Sequence, residues 1–297
     1  MKIFLTGATG FVGSHLLRRL LAEGHLVRAL VRNVDKAGSL AQQGTELVGG
    51  DVVENTGLDE GLPGCDAVIH LVGIIVENRG ATFERVHHLG TRHVVEAARR
   101  NGIRRFIQMS ALGVRADGVA AYQTTKWKAE EAVRQSGISY CILRPSVIFG
   151  SGDGFVSQML DTMRKAPMMR PVPGDGKPRF RPIFIDDVTT CFARALTTEA
   201  ATNQTIDVGG RDELPLNDLL RQIAQQAGIR KPAVHVPLPL MFAVAAVAQA
   251  LFRRAPVTVD QLRMLREGSS CDITRMTQIF GIEPRGFAEG LSTCLRH

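Results

Sequence analysis

The chain has 297 residues, 44% of them hydrophobic, with a net charge of +7 at neutral pH, so it can fill one large α/β core or a main domain plus a smaller one. Its positive charges are dispersed, with one Trp, two Tyr and no Lys/Arg-rich block, which argues against nucleic acid and favours a basic cleft for an anionic cofactor or a weak pull towards an acidic surface. Five scattered cysteines (Cys65, Cys141, Cys191, Cys271 and Cys294) have neither a disulfide framework nor metal-ligand spacing, as expected of reduced thiols in a cytoplasmic protein without a metal.

The chain starts with no apolar run long enough for a signal peptide. A short strand over residues 3–5 and a helix over 12–21 flank Gly7, Gly10 and Gly13, spaced three residues apart. A strand, a glycine turn and a helix start together suit a pyrophosphate, because the backbone can approach the anion and offer it free N–H groups. Further strands are expected over 26–31, 45–49, 67–71, 106–110 and 140–143. Helices are expected over 91–101 and 124–136, ended by Gly102 and Gly137. This alternation implies a parallel sheet covered by helices, a doubly wound α/β fold.

After Arg144-Pro145, glycines and prolines crowd the chain up to Pro182, with one helix expected over 155–165. Residues 182–185 read as extended, a helix capped by Asp186 or Asp187 runs to Leu196, and 205–208 reads as a strand. A helix from 215 to 227 opens a mostly helical remainder. The expected division is a nucleotide-binding domain over 1–150, to which 183–208 returns, and a smaller substrate-binding subdomain over 151–182 and 209–297. The longest apolar segment, 238–252, contains Gln249, precedes Arg253 and Arg254, and is too short to span a bilayer. A buried helix is the plain reading, and an interfacial membrane or partner helix is the alternative.

Tyr122 and Lys126 stand four residues apart on a predicted helix, so phenol and ammonium share a face. A neighbouring cation stabilises a phenolate and lowers the Tyr pKa towards a range useful for proton transfer. Ser110, at the carboxyl end of a strand, is placed to polarise a carbonyl oxygen beside them.

Thr6-Gly7-Ala8-Thr9-Gly10-Phe11-Val12-Gly13, Tyr122 with Lys126, and Arg144-Pro145-Ser146-Val147-Ile148-Phe149-Gly150 together resemble the short-chain dehydrogenase/reductase superfamily, in its extended or atypical branch. Within it, Ser110-Ala111-Leu112-Gly113 and the run from Phe149 to Phe155 resemble proteins similar to the 39 kDa NAD(P)-binding accessory subunit of respiratory complex I. The likeness covers nearly the whole chain and thins after about Gly210. It implies a Rossmann-type domain, a bound nicotinamide dinucleotide and a catalytic triad of Ser110, Tyr122 and Lys126, with Lys126 also holding the nicotinamide ribose. It further implies a cofactor site drawn from Gly7, Thr9, Gly10, Phe11, Val12 and Gly13, with Asp51 and Val52 at the adenine, Leu71, Val72 and Gly73 near the ribose and pyrophosphate, and Pro145, Ser146 and Val147.

NAD-binding members carry a carboxylate after the second strand, where this chain reads Leu30-Val31-Arg32-Asn33. Arg32, helped by Arg28 or Lys36, suits a 2′-phosphate, so NADP(H) is preferred and NAD(H) is the alternative. The family's usual Asn is replaced by His87, which either hydrogen-bonds a carbonyl and titrates near neutral pH or serves as a half-buried structural residue. The expected function is an NAD(P)-dependent oxidoreductase, epimerase or dehydratase acting on a small molecule. A hydrophobic pocket lined by Phe155, Met159, Met163, Met168, Met169, Phe180 and Phe184 would suit a lipid-like one. The alternatives are a non-enzymatic cofactor-binding module of a respiratory complex, peripheral at the inner face of a membrane, and a nucleotide-sensing regulator.

Overall fold

The computed structural model describes residues 1–78, 80–251 and 257–294. The chain divides into two compact units. The first comprises Met1–Arg144, Val188–Ile206 and Gln278–Gly281; the second comprises Pro145–Asp187, Asp207–Thr277 and the described residues from Ile282 onward.

The first unit is built on a seven-stranded sheet: β1 (Lys2–Thr6), β2 (Leu26–Val31), β3 (Glu46–Gly49), β4 (Ala67–His70), β5 (Arg105–Met109), β6 (Ser139–Pro145) and β7 (Gln204–Val208). Their spatial order is 3-2-1-4-5-6-7, and every pairing from β3 through β6 is parallel. Such strands are covered on both faces and read as apolar runs rather than alternations. Ile3, Phe4 and Leu5 accordingly have no exposed surface. On one face Phe4, Val68, Phe106 and Ile142 pack with Val94, Val95, Ala97 and Ala98 of the helix α2 (Gly90–Arg100) and Val133 of the helix α3 (Ala121–Arg134). Ile3 and Leu5 point to the other face, by strand alternation. The helix α1 (Phe11–Ala22) joins β1 to β2 and buries Leu16, Leu17 and Leu20. Strand order reverses between β1 and β4, which opens a crevice at their carboxyl ends. The expected α/β doubly wound sheet is therefore present, and its switch point lies beside the glycine turn.

The chain enters α2 through a π-helical turn, Glu84–Leu89, that the apolar spacing did not announce. Such turns add one residue to a helix and re-aim its side chains. Here the turn carries His87.

The second unit combines helices with three two-stranded pairs. Ile148–Phe149 runs parallel to Ile183–Phe184, Arg179–Phe180 antiparallel to Leu214–Pro215, and Arg170–Pro173 parallel to Ala233–Val236. Its helices include Phe155–Lys165, Leu216–Gln226, Leu238–Leu251, Val259–Glu267 and Phe287–Cys294. Phe149 lies 5.5 Å from Phe184 and 4.9 Å from Phe287 between ring centres, an aromatic core for the unit. Asp153 caps the helix Phe155–Lys165 by accepting from the Val156 and Ser157 N–H groups at 2.9 and 3.2 Å. Among the described residues no helix is long and apolar enough to cross a membrane.

Candidate active site

Gly7 follows β1 with φ +82°, and its carbonyl accepts from the Gly10 N–H at 3.0 Å. A Cβ at Gly13 would stand 2.0 Å from that carbonyl oxygen, so no side chain fits there without opening the turn. Thr9 and Gly10 are exposed at the apex, Phe11 is half-buried and Val12 is buried. α1 begins with no side-chain cap and no acidic residue in its first turn. Its first N–H groups and dipole are thus available to an anion. A Cβ at Gly7 would meet Leu71 C and Val72 N at 3.2 Å, which puts the turn directly against the end of β4. A backbone-only cradle before an uncapped helix fits the pyrophosphate of a dinucleotide.

One strand away, Arg32 and Lys36 are exposed just past β2. Arg28, expected to help them, does not. It donates to Gly61 O and Pro63 O at 2.7 and 2.9 Å and pairs with Glu46 at 2.7 Å. It lies within β2 opposite Phe4, not at the strand's carboxyl end. Asp51 and Val52 follow β3, where Asp51 Oδ1 accepts from the Val53 N–H at 2.7 Å and Val52 O meets His93 Nδ1 at 2.8 Å.

Tyr122 and Lys126 lie on the first turns of α3, whose start is closed by Gln123 Oε1 accepting from the Ala120 N–H at 3.2 Å. Lys126 is 2% exposed and donates to Met109 O at 3.0 Å. A Cβ at Gly73 would stand 3.2 Å from Lys126 Nζ and 3.7 Å from His87 Nε2. The lysine, the histidine and the segment after β4 therefore meet, and Gly7, Leu71, Val72, Gly73 and Lys126 form one continuous line. Tyr122 meets the His87 and Phe83 rings edge-on at 5.2 and 5.8 Å.

Electrostatics here differ from the expectation of a lowered Tyr pKa. Burial pushes Tyr122 up to about 12 and Lys126 down to about 8, the latter partly offset by the charge of Glu130. Desolvation outweighs any help from the lysine, whose ammonium is turned onto a backbone carbonyl. His87 is 1% exposed, with Nδ1 3.1 Å from Thr125 Oγ1 and Nε2 3.0 Å from Ile74 O. Burial first, and Lys126 second, push it down to about 2, so it does not titrate near neutral pH. A second histidine, His70 at the end of β4, joins Thr6 Oγ1 at 2.6 Å to Thr91 Oγ1 at 3.1 Å and is pushed down to about 3, chiefly by burial.

Ser110 is buried, and its hydroxyl donates to Glu130 Oε1 at 2.5 Å. Its oxygen thus offers lone pairs, not a proton, to its surroundings. Glu130 is completely buried and also accepts from Arg144 Nε at 2.7 Å, Arg144 Nη2 at 2.5 Å and Arg134 Nη2 at 2.6 Å. Both guanidinium groups lie over the Trp127 ring, at 5.0 and 5.9 Å. Sequence reasoning missed Glu130, although Tyr122, Lys126, Glu130 and Arg134 continue one four-residue spacing down a single face of α3.

Pro145, Ser146 and Val147 fall in the second unit, where Ser146 Oγ donates to Ser269 O at 2.8 Å and Val147 O accepts from the Ile183 N–H at 2.9 Å. Of the expected pocket residues, Met163, Phe180 and Phe184 are core at 1–5% exposure, while Met168 and Met169 are exposed. Phe155 and Met159 are half-buried. A stripe of Phe and Met at helical spacing serves packing here more than a ligand wall.

Residues 7–160 match a family model described as NAD(P)H-binding, and residues 115–297 match the RmlD substrate binding domain. The chain is similar to a ceramide reductase of Caulobacter vibrioides, 29% identical over 248 residues that cover 84% of this chain and 77% of that one. It is similar to NADH dehydrogenase (ubiquinone) 1 alpha subcomplex subunit 9, mitochondrial, of Arabidopsis thaliana, 26% identical over 84% of this chain and 64% of that one. A solved UDP-glucuronic acid 4-epimerase of Bacillus cereus in complex with NAD shares the fold, with TM-score 0.78 and 19% identity over 99% of this chain and 97% of that one. With each family match spanning more than half of its length, the chain belongs to the NAD(P)H-binding short-chain dehydrogenase/reductases, in their extended, RmlD-like branch.

Proposed function

We propose that the protein is an NADPH-dependent reductase of a carbonyl group on a lipid-like small molecule. The observation that carries this reading is the closeness of Gly73 to Lys126 and His87, where an added Cβ would stand 3.2 and 3.7 Å from their nitrogens, which brings the dinucleotide cradle up to the Tyr122–Lys126 pair. Carbonyl reduction needs a hydride at carbon and a proton at oxygen, and the nicotinamide supplies the hydride when bound. Tyr122, held protonated by burial, supplies the proton. Lys126, charged below about pH 8, stabilises the phenolate that remains and holds the ribose. His87 orients this cluster as a neutral ring between Ile74 and Thr125. Ser110, whose proton is committed to Glu130, serves as a positioning residue at the strand end, so Tyr122 alone supplies the proton.

Preference for the 2′-phosphate rests on exposed Arg32, with Lys36 nearby and Arg32-Asn33 in place of a carboxylate directly after β2. The substrate class is supported by the ceramide reductase relative. A cytoplasmic setting belongs to the same reading, supported by five scattered cysteines without disulfide-framework spacing.

The test is oxidation of NADPH, followed optically, with long-chain keto lipids as substrates. Tyr122→Phe should lower turnover by about 10²–10⁴-fold while leaving NADPH affinity within about twofold. Unchanged turnover would remove Tyr122 from the mechanism. The second reading, a cofactor-binding module without turnover, is favoured only by likeness to the complex I subunit; tightly bound dinucleotide with no reduction of any carbonyl would select it.

A further inference from the structure

The helix Leu238–Leu251 turns an apolar face outward. Leu240, Val244, Val247 and Leu251 are 57, 61, 58 and 72% exposed, and their spacing of four, three and four residues lines them up on one side. The opposite side is held: Ala245 is buried, Gln249 Oε1 accepts from the Val259 N–H at 2.9 Å, and the Gly174 turn packs on Leu238. Exposed apolar stripes of this kind mark protein or membrane contacts.

Charge selects between the two. From Asp218 to Asp260 the sequence contains no intervening carboxylate, yet it carries Arg221, Arg230, Lys231, Arg253 and Arg254. Arg221 pairs with Asp218, and Lys231 caps the helix Phe155–Lys165 through Met163 O, Arg164 O and Ala166 O. Arg230 is exposed, and Arg253 and Arg254 follow the apolar helix directly in the sequence. An apolar stripe within a stretch of sequence that carries five basic residues and no acid complements an anionic lipid surface. At 14 residues the helix is about 21 Å long, short of the ~30 Å hydrocarbon core, so it can lie in the interface but not cross it.

We propose that this helix docks the protein on an anionic phospholipid bilayer, with Leu240, Val244, Val247 and Leu251 at the acyl boundary. The proposal stands independently of the substrate assigned above. It is tested with the full chain and vesicles of phosphatidylcholine, with and without phosphatidylglycerol. The chain should sediment with the phosphatidylglycerol vesicles and be released by salt. Val244→Glu with Val247→Glu should weaken this by about tenfold or more. Arg253→Gln with Arg254→Gln should weaken it by about tenfold on the anionic vesicles alone. All variants should bind NADPH as the parent does. A parent chain that stays in the supernatant, or glutamate variants that sediment as well as the parent, would overturn the proposal. A dimer that the glutamate pair converts to monomer, with no vesicle binding by either, would make the face a self-interface instead.

Discussion

Glu130, on α3, and His87, packed against that helix, are both buried, and the protein accommodates them in opposite ways. Glu130 receives Ser110, Arg134 and Arg144 on its two oxygens, so its burial is offset by charged hydrogen bonds. His87 has only neutral neighbours in hydrogen-bond contact, Thr125 and the Ile74 backbone, and stays uncharged. Lys126 lies between these solutions, one turn before Glu130 and beside His87. It feels attraction from the first and shares the desolvation of the second. A lysine poised near pH 8 follows from that intermediate position.

The largest break of this contrast is Glu130→Ala, which strands two arginines and a serine. It should cost about 3–5 kcal/mol in chemical unfolding; a loss below about 1 kcal/mol would mean the guanidinium groups find water instead. Next comes acid. His70 and His87 bind protons more weakly folded than unfolded, so stability is full above about pH 6.5 and falls as the pH drops towards 3. At pH 5 each should contribute a loss of about 2 kcal/mol relative to neutral pH. His87→Asn should remove its half of that slope; an unchanged slope would put the titration elsewhere. The smallest effect concerns Lys126. The kcat/KM for carbonyl reduction should be flat through neutral pH and decline above about pH 8, where the ammonium is lost. A profile flat to pH 9.5 would show that Glu130 dominates the lysine's environment.

What was legible in the sequence was local. Gly7, Gly10 and Gly13 are spaced within one turn, and Tyr122 and Lys126 within one helix face, so short-range geometry announces them. The parallel sheet was equally readable, because strands buried on both faces are apolar throughout. Contacts set by register were not. Thr6 and His70 are 64 residues apart and meet because β1 and β4 pair in parallel. Arg28 looked like a cofactor cation, but the β2–β3 pairing puts Glu46 beside it. The π-helical turn that aims His87 has no signature in apolar spacing. Glu130 was within reach, since it is the next step of the Tyr122–Lys126 spacing.

The bare start of α1 has a thermodynamic side. A helix that supplies neither a capping side chain nor an acidic first turn leaves part of its own stabilisation to whatever anion settles on it. A ligand bound only by the folded chain adds about 2.7 kcal/mol at a hundred times its dissociation constant. The folded fraction of this protein is therefore tied to the dinucleotide pool around it.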